Sequence, residues 1–75
     1  MIRPEQSKAA RALLGWNQEQ LAARANIGSA TVQNFESGKS RPNAGTLRLI
    51  KETLEAAGIR FVDNGEYGVL RRGDF

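Results

Sequence analysis

The sequence contains neither cysteine nor histidine. Without thiols it forms no disulfide and offers no thiolate to a metal. Without imidazole it lacks the commonest general base and the commonest metal ligand. No stretch approaches the roughly 18 consecutive apolar residues of a membrane-spanning helix. The opening residues Met1 to Glu5 carry no apolar run of the secretory-signal kind, so the expectation is a cytoplasmic protein away from membranes. There is no glycine-rich phosphate loop. The carboxylates are scattered: Glu52 and Glu55 lie beside an apolar helical stripe, and Asp63 and Glu66 flank a turn, so no pair is placed for acid–base work. These shortages point away from an enzyme, with no catalytic, metal-binding or cofactor-binding residue expected.

What remains is a short, mildly basic chain. Its 75 residues suffice for one core. A domain of this size buries roughly 60% of its unfolded surface and often gains from a partner subunit. The net charge of +3 is unevenly placed. Residues 1–58 hold eight Lys/Arg against five Asp/Glu, whereas residues 59–75 hold three of each. The excess positive charge therefore lies entirely in the front part, where it permits binding to nucleic acid.

Hydrophobic periodicity divides the chain into four short helices and a β-hairpin. Pro4 suits a first helical turn, and alanines and leucines carry that helix to Leu14, where Gly15 stops it. Asn17 caps a second helix, with Leu21, Ala22 and Ala25 on its inner stripe. After the break Asn26-Ile27-Gly28, a third helix runs over residues 29–37, with Val32 and Phe35 facing inward. Lys39-Ser40-Arg41-Pro42 is a basic loop. Asn43 caps a fourth helix, about Ala44 to Ala57, with Leu47, Ile50 and Leu54 at helical spacing, and Gly58 closes it. In the tail, Asn64-Gly65 lies between two apolar runs, a strong hairpin signal. The chain thus reads as mainly α, with a helical unit over residues 1–58 and a hairpin extension over 59–75.

Residues 17–38 carry the functional signal. Two helices of about two turns are joined by a tight break that holds an apolar plug, Ile27. In such a pair the second helix lies in a DNA major groove while the first crosses the backbone. The outer face of the second helix shows Ser29, Ala30, Gln33 and Asn34. Gln and Asn each pair bidentately with adenine, Ser bonds either kind of base edge, and Ala meets a thymine methyl. No acid precedes Glu36 on that helix. The tract from Leu14 to Pro42, with Gln18-x-x-Leu21-Ala22, the Asn26-Ile27-Gly28 turn and Phe35-Glu36-x-Gly38-x-x-x-Pro42 in register, resembles the lambda Cro/C1 family, whose phage repressors are among the standard helix-turn-helix proteins.

The resemblance covers about residues 5–57. It implies a four-helix DNA-binding domain and a transcriptional regulator, with base-reading positions at Ser29, Ala30, Gln33 and Asn34. It implies phosphate contacts from Asn17 and Gln18 and from Lys39, Ser40, Arg41 and Asn43. It also implies an ion pair between Arg11 and Glu36. The departures are Asn26 where glycine is usual and Gly28 where a Ser or Thr cap is usual; Ser29 and Ala30 are shorter than typical base readers.

A lone hairpin is marginal in water. With a two-residue turn at Asn64-Gly65, Ile59, Phe61 and Leu70 share one face, and Val62, Tyr67 and Val69 share the other. Two partly apolar faces predict a homodimer joined through these six residues, on double-stranded DNA of palindromic sequence. Two rival readings use the same fold: an antitoxin whose hairpin binds a cognate toxin, and a protein-interaction module without DNA binding.

Overall fold

The computed structural model describes residues 1–62 and 67–73. Four helices and an antiparallel strand pair follow in order: α1 (Pro4–Leu14), α2 (Gln18–Ala25), α3 (Ser29–Glu36), α4 (Ala44–Ala56), β1 (Ile59–Val62) and β2 (Gly68–Arg71). This matches the expected architecture, with α3 and α4 each one residue shorter than read from sequence because Ser37 and Ala57 serve as caps.

Local chemistry sets each boundary. Pro4 begins α1, and the backbone N–H of Arg3 donates to Gln6 Oε1 at 2.9 Å. Gly15 ends the helix at φ 71°, a left-handed conformation open to glycine at little steric cost. At α2, Asn17 and Gln20 satisfy each other: Gln20 N donates to Asn17 Oδ1 at 2.7 Å, and Asn17 N donates to Gln20 Oε1 at 2.8 Å. That reciprocal pair occupies two helix-end donors that would otherwise lack partners. Asn43 caps α4 by accepting from Thr46 N at 2.8 Å.

The core is the one the periodicity predicts. Leu21, Ala22, Val32, Phe35, Leu47, Ile50 and Leu54 are buried together, and Ile27 packs half-buried against them. Ile2, Ala10 and Ile59 join the same cluster. Ile2 precedes the first helix, so no helical period announces it. Among the described residues, no helix is long and apolar enough to cross a membrane.

The hairpin differs from expectation in register. The Asn64-Gly65 turn lies outside the described residues, but a two-residue turn there would pair Val62 with Tyr67. Instead Val62 pairs with Gly68, Phe61 with Val69, Arg60 with Leu70 and Ile59 with Arg71, which leaves residues 63–67 between the strands. A slip of one residue exchanges the faces of a strand. Ile59, Phe61 and Val69 therefore share the side that packs on the helices. Val62 and Leu70 lie on the other, so Leu70 and Val69 exchange the faces expected of them. The reason is packing: Phe61 and Val69 both meet the core only in this register. A side chain from α1 fixes it further, because Gln6 Nε2 donates to Val62 O at 3.3 Å and to Gly68 O at 3.2 Å. Gln6 itself is buried.

Gln6 thus links the start of α1 to both strands. Replacing it with alanine strands two partly buried carbonyls and the Arg3 amide, at a cost of about 1–3 kcal/mol. Gln6→Ala is expected to lower the urea midpoint and to increase hydrogen exchange at the strand amides before that of α2 and α3. Unchanged exchange in the strands would contradict the link.

Candidate nucleic-acid interface

The turn between α2 and α3 is closed by backbone. Ile27 N donates to Ala22 O at 2.9 Å and Asn26 N to Ala23 O at 3.2 Å, the paired bonds of a Schellman helix end. Asn26 takes φ 58° there, the only positive φ at a non-glycine among the described residues. Asn tolerates this conformation better than most residues. Ile27 then turns inward and Gly28 leads into α3 with no side-chain cap.

The far end of α3 is held by a buried charge. Glu36 is 2% exposed. Arg11 reaches it from α1 with Nη2 to Oε1 at 2.6 Å and Nε to Oε2 at 2.9 Å. Ser7 donates to Oε2 at 2.6 Å, and Gln18, from the first turn of α2, donates to Oε1 at 3.1 Å. Arg11 Nη1 also donates to the Trp16 carbonyl at 3.0 Å, across the corner between α1 and α2. One carboxylate thereby joins three helices. Burial pushes the Glu36 pKa up, but the hydrogen bonds from Arg11, Ser7 and Gln18 and the charge of Arg11 outweigh it and hold the group below its ordinary range. The hydrogen bond to Glu36 is also the main reason the Arg11 pKa is raised.

On the opposite side, α3 presents Ala30 and Gln33 exposed and Ser29 and Asn34 half-buried. The loop after it folds back on the same helix. Ser40 N donates to Asn34 O at 3.2 Å, and Gly38, at φ 78°, donates to Phe35 O at 3.1 Å. Lys39, Ser40, Arg41 and Asn43 are exposed on this loop and at the cap of α4. Asn17 is exposed at the start of α2, and Gln18 beside it is half-buried by its bond to Glu36. The side-chain oxygens of Asn17 and Asn43 are spent on their caps. The single acid of α3 is turned inward and neutralised, so α3 itself puts no anionic group on its polar face.

A helix-turn-helix family model matches residues 8–57. The chain belongs to the Cro/C1-type helix-turn-helix family. It therefore has the fold of a DNA-binding regulator, in which α2 and α3 are the two helices of the motif. No curated protein matches the chain. The Cro/C1-type match takes in α2, α3, α4 and most of α1, and it leaves the hairpin outside.

Ser7 joins the Glu36 cluster without having been expected from the sequence. A signal was available, since Ser7 and Arg11 lie four apart on one face of α1. Trp16, at the corner between α1 and α2, packs half-buried against the core and carries Arg24 over its ring at 4.5 Å. Arg71, on β2, donates to the Leu13 carbonyl at 3.1 Å near the end of α1.

The sign of the acid dependence follows from Glu36. A carboxylate held below its unfolded value stabilises the fold fully above that value, about 4.3 for Glu, and the contribution is lost as pH falls through the depressed folded value. Glu36→Gln removes this carboxylate and leaves Arg11 facing a neutral amide. The variant is expected to be about 3–5 kcal/mol less stable at neutral pH, and the gap to wild type is expected to narrow steadily below about pH 4. Parallel melting curves against pH for the two proteins would contradict it.

Proposed function

We propose that the protein is a sequence-specific transcriptional regulator that places α3 in the major groove of double-stranded DNA. The observation that supports this best is the division of α3 into two sides. Glu36, Val32 and Phe35 are inside, and Ser29, Ala30, Gln33 and Asn34 face outward beside the basic loop of Lys39, Ser40 and Arg41. In this reading Gln33 and Asn34 carry most of the base recognition, because Ser29 and Ala30 reach only a short way. Asn17, Gln18, Lys39, Ser40, Arg41 and Asn43 contact phosphates, which fix register without carrying sequence information. A cytoplasmic location belongs to the same reading.

The reading includes a homodimer. Two recognition helices one DNA turn apart, about 34 Å, match a palindromic operator. The hairpin supports this in a narrower form than the sequence suggested. Ile59 is buried in its own core, and Phe61 and Val69 pack against that core. Val62, Tyr67 and Leu70 remain for a second copy, with Tyr67 and Leu70 exposed. A two-stranded sheet also has outer edges able to pair with another strand.

Two measurements test these parts separately. Selection of bound sites from random DNA is expected to return an inverted repeat. Gln33→Ala should relax preference at one position per half-site, at about 1–3 kcal/mol per base pair. Arg41→Ala should weaken all sequences alike and reduce the salt slope by about one. Absence of binding at low salt would leave the fold as a protein-interaction module. In sedimentation, Leu70→Glu is expected to shift a wild-type dimer toward monomer while the melting temperature holds; a wild type that stays monomeric at high micromolar concentration overturns the dimer.

A further inference from the structure

A cavity of about 400 Å³ opens between the segment before α1, the turn after α3 and the hairpin. Its polar lining comes from Arg3, Ser40, Arg41 and Tyr67, and no described carboxylate lines it. Among the described residues, neither Arg3 nor Arg41 is ion-paired. The Arg3 guanidinium lies over the Tyr67 ring at 3.7 Å from its centre. Two uncompensated guanidinium groups and a serine hydroxyl around one open cavity complement a phosphate group, since guanidinium donors match phosphate oxygens in geometry and charge.

We propose that Arg3, held in place by Tyr67, is a further phosphate-contacting residue, and that it grips the DNA backbone together with Arg41. The inference rests on the DNA-binding reading, which already sets Ser40 and Arg41 against the backbone. The cavity those residues share with Arg3 carries the contact surface past the loop, to residues that lie outside the matched stretch 8–57. Arg3 sits in extended backbone just before α1 and is exposed. A long side chain in that position otherwise spreads over many rotamers, and stacking on an aromatic face restricts it. The hairpin, which adds no net charge between residues 59 and 75, thus raises DNA affinity by orienting a charge carried elsewhere. Tyr67 is a positioning residue here, a role separate from any contact with a second copy.

The test is fluorescence anisotropy of a labelled duplex titrated with wild type, Arg3→Ala, Arg3→Lys, Tyr67→Leu and, as a benchmark, Arg41→Ala, over about 50 to 200 mM salt. Arg3→Ala is expected to bind several-fold more weakly at the low end, with a salt slope smaller by about one and with base preference unchanged. Arg3→Lys keeps the charge and should keep the slope. Tyr67→Leu retains apolar bulk for association but removes the ring. It should lose part of the affinity when Arg3 is present and none further in an Arg3→Ala background, a comparison in which any effect on association cancels. If Arg41→Ala weakens binding and Arg3→Ala does not, the role of Arg3 is overturned and the DNA reading stands. If wild type itself shows no salt-dependent binding, the DNA reading fails and this inference fails with it.

Discussion

A carboxylate buried at the end of a two-turn helix has to be neutralised, and the way Glu36 is neutralised joins α1, α2 and α3. Arg11 and Ser7 come from α1, Gln18 from α2, and the acid from α3. Helices as short as α2 and α3 are marginal on their own, because nucleation is costly and few bonds follow it. Packing on Leu21, Val32 and Phe35 supplies the driving force, but apolar contact is non-directional. The bidentate guanidinium and the two further hydrogen bonds add direction. Pairs of this kind add little net stability over an apolar replacement, and breaking one by removing a partner is expensive. The arrangement therefore serves to hold the angle at which α3 presents Ala30 and Gln33, and it removes the one acid of α3 from the surface proposed to face DNA.

The rest of the molecule arranges itself around that unit. The α4 helix closes the core from behind with Leu47, Ile50 and Leu54. Its cap, Asn43, ends the basic loop that follows α3. The hairpin is tied on by packing and by hydrogen bonds: Ile59 enters the core with Phe61 and Val69 against it, Gln6 bonds both strands, and Arg71 bonds the Leu13 carbonyl. Both of these side-chain hydrogen-bond ties lead to α1, so the appended strands report on the same helix that carries Arg11. An addition outside the family-matched stretch is thereby mechanically continuous with the motif.

Much of this was legible in the sequence because it is local. Asn17 before α2, Gly15 after Leu14 and Asn43 before α4 mark helix ends by residue type, and each stands at the end expected of it. The stripe of Leu47, Ile50 and Leu54 is a periodicity read directly as a buried face. The polar side of α3 followed from where Val32 and Phe35 had to point. What was not legible depends on pairs distant in the chain. The hairpin register differs by one residue from the one Asn64-Gly65 suggests, because Phe61 and Val69 must both reach a core built by the helices and Gln6 must span Val62 and Gly68. Ser7 and Gln6 look like ordinary solvated residues of a first helix until Glu36 and the strands are placed beside them. Arg3 carries no local signal at all; only the fold sets it over Tyr67 and beside Arg41.

The central claim is that one face of the molecule, centred on α3, meets DNA. The most direct test is amide chemical-shift mapping of the isotope-labelled protein titrated with a short duplex at low salt. Shifts are expected to concentrate at the start of α2, along α3 and through the loop to Asn43, with smaller ones near Arg3. Little change is expected around Leu49 and Thr53 on α4, where the helix lies beside Trp16 and Arg24. Shifts centred on the α4 surface, or a titration that leaves α3 unmoved while other amides respond, would contradict it.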